Sequence, residues 1–288
     1  MSLANECMVM NLQISVWMGY KLDKRTTAEV IEQKHAQDGA VRVNKHLIHK
    51  DYINPIVAAG GAVRRHFYEN TLPWKDNGDR ILTRKRYEKF IQRHSELTQV
   101  FNEAVEHFLT VAYAQAQGQA EFRMGEMYDP RDYPKAEQLR HMFGVHMDIE
   151  PVAEGKDFRV QIGKAEVAKV RSQMDAALEA RVHSAKGDLW KRMHTVVKYY
   201  HDRMASDTKF KATTVTNLQE LVELVPELDF TDDPDIKAVR DLIATGLAVH
   251  EPEDLRDSEK LRTKVTHEAE DILKTMGGFM KALGVSND

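Results

Sequence analysis

The residues in this chain best suited to binding chemistry are basic. Arg84, Lys85, Arg86, Lys89 and Arg93 crowd the opening turns of a long helical pattern, and Arg64 and Arg65 lie upstream with Lys21, Lys24 and Arg25. If they converge they suit a polyanion: neutralising about five phosphates would make affinity fall steeply with salt. The same side chains suit an acidic protein surface, including the acidic last third of this chain. Positive charge at a helix N-terminus opposes the macrodipole, so the cluster asks for a partner of one kind or the other. Phe67, Tyr68, Trp74 and Tyr87 stand near these charges and offer either faces for stacking bases or side chains for a core.

Other chemistries leave little trace. There are 13 histidines, and the closest pairings, His141 with His146 and His194 with His201, lack the i, i+4 spacing that puts two imidazoles on one helix face. No HExxH occurs, and a single cysteine, Cys7, rules out thiolate clusters and a disulfide framework. Gly60-Gly61 and Gly277-Gly278 lack the lysine and hydroxyl of a phosphate loop, and no GxSxG elbow is present. Cys7 is expected in a loose N-terminal segment without a fixed base, and Asp232-Asp233 precede a helix, where capping explains them. No catalytic residue, metal site or cofactor is expected, and the chain reads as non-enzymatic.

The elements that must position the basic residues are written in the apolar spacing. Leu12, Ile14 and Val16 alternate with polar residues as in a half-buried strand, and Val145–Ile149 and Phe158–Ile162 alternate likewise, predicting a β-hairpin that the N-terminal strand joins. A capping box at Thr26–Glu29 starts a short helix ending before Gly39, and a further helix spans 51–70 despite Pro55 and Gly60-Gly61. Leu72–Asp79 reads as a structured turn. Apolar residues then recur at three and four over 84–117 and 164–205, predicting two long helices whose seams need company. The economical arrangement is an antiparallel, coiled-coil-like helical hairpin. Three helices starting near Thr216, Asp235 and Pro252 complete a mainly α (α+β) chain.

Three segments follow from this pattern: 1–83, 84–205 with a β-hairpin insertion, and 206–288. Across 288 residues, 41 Lys+Arg stand against 45 Asp+Glu, but the balance shifts along the chain. Residues 1–95 hold 16 basic and 10 acidic residues, and residues 206–288 hold 10 and 18. Such polarity steers anionic partners toward one end or draws neighbouring copies together, so a homo-oligomer is expected. With no secretory leader and no apolar stretch long enough to span a bilayer, the expected location is the cytoplasm, without a membrane partner.

Several motifs carry a likeness. Leu12–Trp17 followed by Lys21-Leu22-Asp23-Lys24-Arg25, then Thr71-Leu72-Pro73-Trp74 with Asp76, Gly78 and Arg80, resemble an uncharacterised family of bacteriophage and prophage proteins. Tyr128-Asp129-Pro130-Arg131-Asp132-Tyr133-Pro134, Asp157–Val160 and Leu221–Pro226 extend the resemblance to about residue 234. It implies a phage-encoded protein in a bacterial host cell, associated with a MoxR- or cobaltochelatase-like AAA+ ATPase and a von Willebrand A-type protein. It supplies no catalytic residue. The expected function is therefore a non-enzymatic interaction or adaptor protein. The alternatives are nucleic-acid binding through the basic third, and an enzyme whose site carries no known signature.

Overall fold

The computed structural model describes residues 3–160, 163–206 and 210–285. In chain order, α1 (Leu3–Glu6) leads into β1 (Cys7–Ser15) and β2 (Tyr20–Leu22), then α2 (Lys24–Lys34), β3 (Asn44–His46) and α3 (Lys50–Asn70). Next come β4 (Leu72–Pro73), β5 (Arg80–Thr83) and α4 (Arg84–His107), which continues through a π turn at Phe108–Ala112 into α5 (Tyr113–Gly118). α6 (Ala120–Met124), α7 (Ala136–Arg140) and β6 (Gly144–Pro151) precede α8 (Lys164–Ala205). The chain ends with α9 (Thr213–Leu228), α10 (Pro234–Gly246), α11 (Pro252–Asp257) and α12 (Glu259–Ala282). The protein is thus mainly α with a small antiparallel sheet. Among the described residues no helix is long and apolar enough to cross a membrane.

Both long helices form where the 3–4 spacing places them, but the partner of the second is different. Gly187 of α8 lies against Val285, Trp190 stacks on Phe279 at 5.4 Å, and Tyr200 lies within reach of the Glu268 charge. Rising numbers in α8 meet falling numbers in α12, so these two helices run antiparallel. The expected hairpin of 84–117 with 164–205 is replaced by this pair, because the amphipathic stripe of α12 and the apolar face of α9 fill the α8 seam. Trp190, Met193 and Val197 of α8 join Leu218 and Val225 of α9, Ile236 and Ile243 of α10, and Val265 and Ile272 of α12 in one core. From Lys164 to Ser184 no residue of α8 is buried, so this core begins only at Ala185.

The sheet runs in the order β4-β5-β1-β6. β1 and β5 pair antiparallel, Cys7 opposite Thr83 and Met10 opposite Arg80. The segment read as a turn is itself a hairpin, β4 to β5, with Leu72 opposite Ile81. Gly78 at φ 93° closes it, a left-handed conformation that glycine adopts without a Cβ penalty. Of the expected 145–162 hairpin only the first arm, β6, is a strand. Gly155 donates its amide to the Asp175 carboxylate at 3.0 Å, and the Phe158 carbonyl accepts from Arg171 at 3.2 Å. Hydrogen-bonding groups of this segment are therefore spent on α8 rather than on a ladder, while Gln161 and Ile162 lie outside the described residues. The helix expected from a Thr26–Glu29 box begins earlier, at Lys24, capped by Asp23, whose carboxylate accepts the Thr26 amide at 3.1 Å.

The chain divides into two compact units. One comprises residues 1–11, 69–90 and 148–288, the other 12–68 and 91–147. The first contains the α8–α12 core. The second is built around Ile53 and Ile56 of α3, Phe101 and Val105 of α4, and Phe108, Tyr113 and Leu139.

Candidate functional site

The sequence-predicted basic residues separate between the units. Arg84, Lys85, Arg86 and Lys89 belong to the first, whereas Arg64, Arg65 and Arg93 belong to the second. α4 starts at Arg84 because the Thr83 hydroxyl accepts the Arg86 amide at 3.3 Å, the geometry of a capping side chain. Its first turn then carries cations where the helix dipole is positive, while Glu227 carries an anion at the negative end of α9. Each placement is unfavourable alone, and together they offset one another. Glu227 pairs with both Arg86 and Lys89, and Arg86 also donates to Asn70 at 2.8 Å. Burial pushes the Glu227 carboxyl up, but hydrogen bonds from Lys89 and Arg86 outweigh it and hold the group below its ordinary value. Lys85 reaches Asp232 at 3.5 Å, Arg84 reaches Glu6 at 3.4 Å and Arg93 reaches Glu96 at 2.7 Å. Arg64 and Arg65 are exposed on α3. Lys85, Arg86 and Lys89 therefore pair with carboxylates of the acidic last third.

The second unit builds an ion cluster that charge counting did not reveal. Gly19, just before β2, takes φ 68°, and its carbonyl accepts the Leu47 amide at 2.8 Å, extending the β2–β3 pairing. The β2–β3 ribbon that results sets Lys21 directly opposite Lys45. Like charges in that register repel, so the ribbon requires an anion. Asp132 provides it: Oδ1 lies 2.6 Å from the Lys21 ammonium and Oδ2 lies 2.5 Å from that of Lys45. Asp23 approaches Lys45 at 3.7 Å. The Asp132 side chain is 6% exposed. Burial raises its pKa, yet the interactions with Lys21 and Lys45 win and keep it ionised; the same contact with Asp132 raises Lys45.

Asp132 is aimed by the loop around it. The Asp129 carboxylate accepts the Arg131 amide at 2.9 Å and its guanidinium at 2.8 Å, which starts a single 3-10 turn over Pro130–Asp132. Those bonds bring the Asp129 carboxyl down to about 2. Tyr133 donates its hydroxyl to the Leu47 carbonyl at 3.0 Å, Tyr113 donates to the Pro134 carbonyl at 2.7 Å, and Lys45 donates to that of Met127 at 3.2 Å. The two motifs, Lys21–Arg25 and Tyr128–Pro134, thus meet across more than a hundred positions of sequence.

Over this cluster opens a groove of about 500 Å³. Trp17, Leu47, Pro134 and Met142 supply its apolar lining, and Tyr20, Lys21, Arg131 and Gln138 its amphipathic and polar groups. Trp17 is braced from behind by Phe108 at 6.2 Å and Tyr113 at 5.9 Å. Tyr20 is 52% exposed and Met142 42% exposed. Sequence reasoning named Trp17 and Asp132 only within motifs and Lys21 otherwise only as one charge of the basic third, and missed the groove. A clue was present in two lysines lying in short polar stretches, but it becomes readable only once the ribbon register is known.

The remaining candidates resolve simply. Cys7 does not lie in a loose segment; it opens β1, where burial pushes its thiol up to about 12 and leaves it protonated at neutral pH. Asp233 caps α10 by accepting the Asp235 amide at 2.8 Å, as its position before Pro234 predicts. Among the described residues no three His, Cys, Asp or Glu side chains gather in a way that would hold a metal ion. No family model, curated protein or solved structure matches the chain.

Proposed function

We propose that the chain is a non-enzymatic adaptor that docks a partner protein through the groove over the Lys21–Asp132–Lys45 cluster. The observation that carries this reading is the pairing of an open apolar lining with a fully engaged acid. Aromatic, methionine and arginine side chains are the types enriched where proteins bind one another. Asp132, held ionised by two lysines, has no proton to give near neutral pH, and its lowered pKa makes it a weak base, which argues against acid–base work there. The basic cluster of α4 supports a nucleic-acid partner less well, because Arg86 and Lys89 must leave Glu227 before they meet a phosphate.

The resemblance to phage and prophage proteins makes a MoxR- or cobaltochelatase-like AAA+ ATPase the first partner to test, with a von Willebrand A-type protein second. Full-length protein immobilised on beads is expected to retain that ATPase, and Tyr20→Ala with Met142→Ala is expected to release it. Failure to retain either protein, or retention that ignores both substitutions, would contradict the reading. A mass measurement in solution reads self-association separately.

A further inference from the structure

The groove is one-sided in its hydrogen-bonding capacity. The carboxylates of Asp132 and Asp129 are turned to the protein's own cations: Asp132 Oδ1 accepts from Lys21, its buried Oδ2 lies in ion-pair range of Lys45, and the Asp129 oxygens accept from Arg131. The amide oxygen of Gln138 accepts the Lys135 N–H at 3.1 Å. What the side chains leave toward solvent is mainly donors, the Tyr20 hydroxyl being able to act either way. Lys21 is 47% exposed and carries three N–H groups, of which one meets Asp132. Arg131 is 88% exposed; it commits Nε and Nη2 to Asp129, which leaves Nη1. The Gln138 NH₂ group is the third.

A ligand that leaves these donors dry would strand them, at a cost that exceeds the gain from one more apolar contact. A basic ligand would set like charge against Lys21 and Arg131. The occupant must therefore bring acceptors, and anionic ones are favoured by charge. Its remaining contact is aliphatic and aromatic, over Trp17, Leu47 and Met142. Two cations beside a short apolar lining do not form the run of positive charge that a nucleic-acid backbone tracks.

Resting on the docking reading above, we infer that the groove accepts an acidic segment of the partner protein, with Asp or Glu carboxylates on Lys21, Arg131 and Gln138 and an apolar side chain on Trp17 and Met142. The chemistry is that of a charge-assisted clamp around an apolar anchor, with geometry set mainly by Arg131.

Trp17 makes the test direct, because the other two tryptophans, Trp74 and Trp190, are 4% and 1% exposed. The full-length chain is titrated with a capped peptide alternating Glu with Leu and Phe, with the same peptide carrying Lys for Glu, and with a single-stranded oligonucleotide. The acidic peptide is expected to change Trp17 emission saturably and with salt-dependent affinity. Arg131→Ala is expected to weaken it about tenfold, as loss of a charged contact does. Gln138→Glu keeps the acceptor for Lys135 and adds repulsion, so it is expected to weaken the acidic peptide while preserving the fold. Equal or tighter binding of the Lys peptide or the oligonucleotide, no binding of the acidic peptide, or indifference to both substitutions overturns the inference. If the acidic peptide fails while the ATPase is still retained in a Tyr20- and Met142-dependent manner, the acidic class is wrong and docking stands; if both fail, docking falls with it.

Discussion

Two places in this molecule bring lysine and arginine against carboxylates, and they differ in how deeply the acid is buried: Glu227 is 20% exposed and Asp132 6%. At the α4 N-terminus, the cations are spread along an exposed turn, Lys89 being 67% exposed, and Glu227 comes from another helix to neutralise them. In the groove the acid is the buried partner, and Lys21 and Arg131 reach outward. The first arrangement closes a corner: its charges answer each other and hold α9 to α4. The second leaves an unbalanced surface, because burying the carboxylate exhausts the acceptors while the donors still face water. Total charge does not distinguish them; what differs is how deeply the acid is buried and whether its cations still have donors facing water.

That difference has measurable consequences, of which the largest concerns Asp132. Asp132→Ala leaves Lys45, whose side chain is 10% exposed, buried opposite Lys21 with only the more distant Asp23, at 3.7 Å, to answer it. Removing one member of a buried pair costs about 3–5 kcal/mol, so a large fall in urea midpoint is expected. A loss under 1 kcal/mol, by the surface-pair standard, would mean that the cluster is solvated and the contrast is false.

Acidification should reach both sites. Asp132 and Glu227 have folded pKa values below their unfolded ones, so their stabilisation is present above the unfolded values near 4 and is lost as pH falls through the folded values. Melting temperature followed downward from pH 5 is expected to drop, and Asp132→Asn to flatten that drop more than Glu227→Gln does. Equal flattening would erase the distinction between a buried and a half-open acid.

Glu227→Gln is expected to cost about 1 kcal/mol, because Lys89 is well exposed and water compensates much of the pair. A cost exceeding that of Asp132→Ala would reverse the comparison. The smallest effect serves as a control within the groove's own unit. Gly61 is exposed inside α3, and a Cβ there would meet nothing within 4 Å. Gly61→Ala is expected to add about 0.5–1 kcal/mol through helix propensity and to leave peptide affinity unchanged. Altered affinity would show that groove binding tracks global stability rather than the named donors.

The long helices were legible in the sequence because a 3–4 apolar spacing repeated over 164–205 admits one period. Their partners were not, since apolar stripes do not say which other stripe they meet; α8 found α12 through contacts such as Trp190 with Phe279. β2 and β3 escaped notice because three-residue polar strands carry no alternation to read. The same gap hid the groove. Lys21 and Lys45 looked like two more solvated charges until the ribbon put them face to face, and Asp132 looked like part of a turn. Conversely, the basic run at 84–93 stood out because its charges are adjacent in sequence, although three of its members are answered by residues 227–232.

Amide hydrogen exchange on the full-length chain, with and without a bound acidic peptide, tests the central distinction most directly. Protection concentrated at residues 17–22, 45–47 and 131–142, with 84–93 unchanged, is the result this account predicts. Protection at 84–93 with the groove unchanged would contradict it.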